Sequence, residues 1–388
     1  MTMASETYDV IVIGAGPAGN VCAALLAQAG LQTLVLEEHA AAGEFVNCTG
    51  IIGAEAFDVL SLPREPIIAS LGPLMFVTPS GRRFRYDPGG PLAHVVSRQR
   101  FDAALAATAA AAGATFRYGA RARTLTVGDG WAQVGFGPEG PTLAARVVVI
   151  ATGFGANLPQ QVGLKGPPAL IYGAQAEVEM SGLQETEIYL GKSVAPDSFA
   201  WVVPVGPTTA RVGMTVTKHA PYYFDQFMRS AAIAPRLSAP RWTMKLSPVP
   251  LGMIPQSVTD HVLVVGEAAG QVKTTTQGGI YYGMLCATMA AQAVRRAFVR
   301  RDWSALILQE YERDWRRRIS PELQVGEHLR GVFARFSDEQ IDAVVELGTK
   351  GEIVELVRRI ARFDWHRDLI LSSLRLPILQ ELVRLGRF

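Results

Sequence analysis

Residues 8–38 read YDVIVIGAGPAGNVCAALLAQAGLQTLVLEE, and no other stretch restricts the fold so much. Val10–Ile13 is a continuous apolar run, the pattern of a parallel strand covered on both faces. Gly14, Gly16 and Gly19 follow as G-x-G-x-x-G. A helix then runs from about Pro17 to Ala29 and stops at Gly30. Leu34–Leu36 is a second strand, with Glu37 and Glu38 at its end. Strand, glycine turn, helix and second strand make a βαβ unit, so the chain must begin a parallel, Rossmann-like sheet.

Each position suits a dinucleotide. Gly14 permits the tight turn, Gly16 lets backbone approach a pyrophosphate, and Gly19 lets helix and strand pack closely. The helix N-terminus, with Ala15, Pro17 and Ala18 around it, attracts phosphate charge. Glu37, with Glu38 beside it, can accept hydrogen bonds from a ribose diol.

The 388 residues exceed one small core, so two domains or one large α/β domain with an insertion are expected. A hydrophobic share of 49% against 19% charged describes a packed globular chain. The net charge of +2 argues against a nucleic-acid partner. Cys22, Cys48 and Cys286 lie far apart without metal-type spacing, so no metal and a reduced, cytoplasmic compartment are expected. MTMASETYDV lacks a signal-peptide pattern, and no apolar run reaches the roughly 18 residues of a membrane span.

Three later segments return to the first sheet. SRQRFDAALAATAAAAGATF places Arg98 ahead of an Ala-rich helix and a strand. ARVVVIATGFGAN is an apolar strand ending at Ala151, Thr152 and Gly153. In DHVLVVGEAAGQVKTTTQGGIYYG, Gly266 ends a strand and the carboxylate of Glu267 can bind hydroxyls. Gly278, Gly279 and Ile280 open a long helix whose N-terminus can stabilise negative charge on a reduced ring system.

Between 160 and 252 the runs ALIYGAQAEVEM, ETEIYLG, FAWVVPVG and TARVGMTVT alternate, separated by Gly and Pro, as antiparallel strands do. PLMFVTPSGRRFRYD (73–87) reads as a hairpin of the same sheet. Arg82, Arg83 and Arg85 could meet an anionic head group, though a solvated hairpin tip is the default. Phe199 and Trp201 are two apart and share a face. They fill a core or form an aromatic wall for an apolar ligand, and pattern alone favours the core. After Arg295 the chain is helical and arginine-rich, which suggests a cap with solvated faces. Its last segment, with Leu369, Ile370, Leu374, Leu376, Ile378, Leu379 and Leu382, could instead lie on a membrane surface.

These segments together resemble the FAD-dependent oxidoreductases of the para-hydroxybenzoate-hydroxylase-like superfamily. In that family a Rossmann motif, an R-x-x-F-D segment, an A-T-G strand end and a late G-D-A-A-G loop hold one FAD. The resemblance implies that Gly14 to Gly19 and Glu37 hold the ADP half. It implies that Arg98 and the backbone near Ala122 line the cofactor, and that Glu267 with Gly278 to Ile280 hold the flavin end. The chain departs in two places: Glu267 replaces Asp, and Thr274 to Gly279 replaces P-x-x-G-x-G. No second G-x-G-x-x-G follows a strand, so no separate NAD(P)H domain is expected.

PDSFAWVVP further resembles the P-x-x-Y-x-W-x-F-P stretch of the geranylgeranyl reductase family, with Phe199 for Tyr and Val203 for Phe. FVNCTGIIGAEAF fits that family's Cys-x-Gly segment with Cys48 and Gly50. This resemblance implies saturation of prenyl C=C bonds by hydride from reduced FAD. It puts Phe199, Trp201 and Pro204 on the substrate side and makes Cys48 a catalytic candidate for proton delivery, the alternative being a buried small hydrophobe. Tyr281, at the start of the helix after the loop, is a further substrate candidate, with packing beside Tyr282 as the alternative. An external electron donor is implied, NADPH or a reduced ferredoxin-type protein. The expected fold is α/β with an α+β second domain. Its parts are a discontinuous FAD-binding domain (1–72, 97–159, 253–300), an inserted antiparallel-sheet domain (73–96, 160–252) and a C-terminal helical region (301–388). The rivals are a flavin monooxygenase or halogenase, and a non-catalytic lipid-binding or electron-transfer flavoprotein. Halogenases need a lysine in the first third of the chain, whereas the first here is Lys165.

Overall fold

Strand Thr7–Ile13 is buried on both faces from Val10 onward and lies inside an eight-stranded sheet. The computed structural model describes residues 6–137 and 142–375. Thr7–Ile13 pairs in parallel with Thr142–Ile150 on one side and Thr33–Leu36 on the other. Thr115–Arg117 and Val262–Val264 extend the parallel core outward. Val10 and Val12 pack under helices Pro17–Gln28 and Ile280–Arg300. Ile11 and Ile13 face the other way, onto Leu125, Val134 and Leu158. Small residues let the second helix lie close: a Cβ on Gly283 would come within 3.3 Å of Gly266 Cα.

The second sheet has seven strands in the order Lys245–Leu251, Ala169–Glu179, Thr209–Val216, Ala200–Pro204, Thr186–Tyr189, Leu74–Val77, Arg83–Tyr86. The hairpin at 73–87 joins it through a parallel pairing of Leu74–Val77 with Thr186–Tyr189. Lys245–Leu251 is a strand that the sequence pattern does not announce. It carries Pro248 and Pro250, which a strand tolerates at an edge, and that is where it lies.

A third, small sheet also goes beyond the sequence pattern. Ala93–Val96 does not join the seven-stranded sheet. It pairs antiparallel with Ile51–Gly53 and Ile67–Leu71. Ala93 and Val95 bury with Leu71 and Val203, while Ile52 and Val96 bury in the core over Val10 and Val12, so this sheet bridges the two larger ones.

Helix Ala305–Phe333 buries Leu308, Tyr311, Trp315, Ile319 and Leu323, one stripe at helical spacing, in the same core as Ile280–Arg300. Shorter helices Asp338–Gly348, Gly351–Ile360 and Arg367–Ser373 follow. Among the described residues no helix is long and apolar enough to cross a membrane. Leu374 is 51% exposed, and Leu376, Ile378, Leu379 and Leu382 lie outside the described residues.

A candidate cofactor and substrate site

The parallel strands end at a cavity of about 1130 Å³. That exceeds the roughly 300–1,000 Å³ of a site for one small ligand, and leaves room for a cofactor beside a second molecule. The glycine turn forms one end of it. A Cβ on Gly14 (φ +108°) would strike the Ala151 carbonyl, and one on Gly19 would strike the Gly14 carbonyl. These two glycines serve packing, and Gly19 does not line the cavity. Gly16 differs: a Cβ there would meet nothing within 4 Å. Its missing side chain leaves open space at the start of helix Pro17–Gln28, which fits a pyrophosphate.

Around this cradle lie Ala15, Pro17, Ala18, Glu37, Glu38, Ala122, Ala151, Thr152 and Gly153. Glu37 Oε2 accepts from Ala15 N at 2.8 Å, and Oε1 accepts from His39 N at 3.0 Å. Glu38 pairs with Arg121 at 3.3 Å.

Arg98 donates to both oxygens of Asp102, at 2.9 and 2.8 Å, with side chains only 14% and 2% exposed. Burial opposes the guanidinium charge, but Asp102 and then Cys48 hold its pKa above the ordinary value. Gly266, Glu267, Gly278, Gly279 and Ile280 line the same cavity, with Gly266 close to Ala18. Burial raises the Glu267 carboxyl pKa, and Arg98 pulls against it. Among the described residues nothing hydrogen-bonds this carboxylate, which suits a partner for ligand hydroxyls. The residues present therefore fit FAD.

The altered loop is held by its own side chains. Gln277, where the family's first glycine falls, adopts φ +56°. Left-handed backbone costs a non-glycine residue of order 1 kcal/mol. Thr215 Oγ1 donates to Gln277 Oε1 at 3.2 Å, and Gln277 Nε2 donates to Thr275 O at 3.2 Å. In place of the proline, Thr274 Oγ1 donates to Leu323 O at 2.7 Å.

The other end of the cavity is apolar. Phe199, Trp201 and Val203 line it, joined by Phe76, Ile188 and Leu190. Trp201 lies across its cross-strand partner Gly213, where a Cβ would sit 2.5 Å from the indole. Phe199 and Trp201 have ring centroids 5.8 Å apart. Cys48 lines the cavity half-buried, its Sγ accepting from Gly50 N at 3.4 Å.

Two expected substrate residues are corrected. Pro204 does not line the cavity, because strand alternation turns it to the opposite face from Trp201 and Val203. Tyr281 is buried against Tyr282 and Trp365, also away from the cavity. Arg82, Arg83 and Arg85 are engaged with Glu346, Glu187 and Glu185. Sequence reasoning missed Lys273 and Phe363, which both line the cavity. Among the described residues no cluster could hold a metal ion.

His366 supports the loop from outside. Its Nε2 lies 2.8 Å from Phe363 O and must donate, so Nδ1 accepts from Thr275 Oγ1 at 2.7 Å. Burial, then the Lys273 charge, lowers its pKa to about 4. Folding thus favours the neutral ring, whose contribution is full above about pH 6.5 and lost as pH falls through about 4. Stability should drop by roughly 3 kcal/mol across that window from this group. Thermal midpoints against pH should show this slope, and His366→Gln should flatten it; an unchanged slope would assign it to other groups.

A glycine turn for a pyrophosphate on one helix, beside a second helix start for a ring system, is the construction of FAD-dependent oxidoreductases, and this chain is one. The sequence profile of the pyridine nucleotide-disulphide oxidoreductase family matches residues 8–187. The digeranylgeranylglycerophospholipid reductase of Methanocaldococcus jannaschii is 33% identical over 383 residues, covering 95% of this chain and 97% of that protein. The crystal structure of a geranylgeranyl bacteriochlorophyll reductase-like protein from Thermoplasma acidophilum superposes with a TM-score of 0.85 at 25% identity, over 98% of this chain and all of that one. A flavoprotein/dehydrogenase from Cytophaga hutchinsonii, 15% identical, shares the fold with a TM-score of 0.76 over 99% of this chain and 100% of its own. The chain belongs to the geranylgeranyl reductase family of FAD-dependent oxidoreductases.

Proposed function

We propose that the enzyme saturates C=C bonds of a geranylgeranyl-type chain carried on a lipid. The observation that carries this reading is the continuity of one cavity from the glycine cradle to an aromatic, apolar wall. Gly14 to Ala18, Glu37, Arg98, Glu267 and Gly278 to Ile280 would hold FAD. When bound and reduced, FAD supplies a hydride to one alkene carbon. Phe199, Trp201 and Val203 hold the isoprene unit and keep water from it. The other carbon needs a proton, and Cys48 Sγ is the candidate to give it. Charge left on that sulfur would be met by Gly50 N–H and by Arg98. Electrons enter from an external donor, NADPH or a reduced ferredoxin-type protein. The exposed end of the C-terminal helices would touch the membrane that holds the substrate.

The test uses holoenzyme reduced chemically without oxygen and incubated with geranylgeranyl lipids. Product masses should rise in steps of two hydrogens. Cys48→Ser should lower kcat about 100-fold, the lower range for general acid catalysis, with FAD content unchanged. No mass gain, with rapid ligand-dependent reoxidation in air, would favour a monooxygenase instead.

A further inference from the structure

The C-terminal region enters the cavity at Phe363. This side chain also packs on the apolar cluster that includes Trp201 and Val203. Its neighbour Asp364 is buried and accepts from Lys273 Nζ at 2.8 Å, with both side chains 6% exposed. Lys273 belongs to the cofactor loop. Its Nζ donates to Phe363 O at 3.2 Å and sits 4.4 Å from the Phe363 ring centroid. Its stem runs along Gly278, where a Cβ would come within 2.7 Å of Lys273 Cε. The Asp364 carboxylate fills the space a side chain on Gly53 would need. Tyr282 OH donates to Asp364 O at 2.6 Å, and Trp365 packs on Tyr281 and Tyr282.

One ion pair therefore ties together the cofactor loop, the small sheet and the apolar wall. Buried pairs are weak sources of stability, since apolar replacement of both partners is often as stable, but they can fix one arrangement. We propose that Asp364 is a positioning residue that couples the cofactor half of the cavity to its apolar half. Through Lys273 it sets the backbone at Gly278, and through its own backbone it seats Phe363 beside Trp201. A ligand that orders one half orders the other, so the second ligand loses less freedom on binding. The inference rests on the cavity holding FAD and a prenyl chain together.

The experiment measures FAD affinity with and without geranylgeraniol, and geranylgeraniol affinity with and without FAD. In the wild-type chain each should tighten the other by the same factor, about fivefold or more. Asp364→Asn should weaken FAD about tenfold, because the amide still accepts from Lys273 Nζ but no longer neutralises it at the loop. Because that variant strands a buried cation and can misfold, the doubly apolar Lys273→Met/Asp364→Leu is tested beside it. It should keep the wild-type thermal midpoint while the mutual tightening disappears. A folded double variant that retains both affinities and the tightening within twofold overturns the proposal. If the wild-type chain binds neither geranylgeraniol nor a geranylgeranyl lipid, the prenyl reading fails. The FAD affinity of the double variant then still decides whether the pair positions the loop.

Discussion

Replacing Gly16 with valine should give a folded protein that no longer retains FAD. Gly16 has φ −75° and ψ 179°, extended backbone that any residue adopts. Its Cβ would touch nothing, so the fold does not require glycine here. The only structural loss is a poorer helix N-cap, about 1 kcal/mol. The added isopropyl group would stand where the pyrophosphate must approach the helix N-terminus. We expect FAD affinity to fall at least about 100-fold, or about 2.8 kcal/mol, with the thermal midpoint of the FAD-free protein nearly unchanged. Gly19→Val should do the reverse of this separation. Its side chain would collide with the Gly14 carbonyl and force helix Pro17–Gln28 off the sheet, so the protein should lose stability whether or not FAD is supplied. Flavin content and thermal melting of both variants check this. If Gly16→Val binds FAD within tenfold of wild type, the cradle has been misread.

That contrast marks what the sequence can reveal. The first βαβ unit is legible because its constraints are local: three glycines at fixed spacing, each with a different neighbour to accommodate. The helix expected from Pro17 to Ala29 is observed at Pro17–Gln28. Alternation is legible too, and applied consistently it places Pro204 opposite Trp201. The small sheet is not legible, because Ile51–Gly53, Ile67–Leu71 and Ala93–Val96 are short and distant along the chain. The edge strand at Lys245–Leu251 is hidden by its prolines, which argue against a strand until its edge position is known. Lys273 and Asp364 are 91 residues apart, and no periodicity links them. Arg98 and Asp102, by contrast, are an i,i+4 pair on one helix, and the spacing within R-x-x-F-D alone is enough to bring them together.

That local pair gives the second large effect. Arg98→Met leaves the Asp102 carboxylate buried, 2% exposed, without its guanidinium. Removing one partner of a buried pair costs about 3–5 kcal/mol, because the remaining charge is stranded. Arg98→Met should therefore be strongly destabilised in urea or thermal unfolding. Arg98→Lys should fall between, since an ammonium cannot reproduce the two-pronged bond. The double variant Arg98→Met/Asp102→Leu removes both charges and should recover most of the stability. It should not recover turnover, because Arg98 and Asp102 both line the cavity and Arg98 lies beside Cys48. The two readouts thus separate two roles of one side chain. Stability should follow the pair, whereas FAD retention and turnover should follow the side chains at the cavity. If the double variant regains full turnover, Arg98 only neutralises Asp102 and has no part at the reaction site. If Arg98→Met unfolds at the wild-type midpoint, the pair is not the buried strut its 2.8 and 2.9 Å bonds describe.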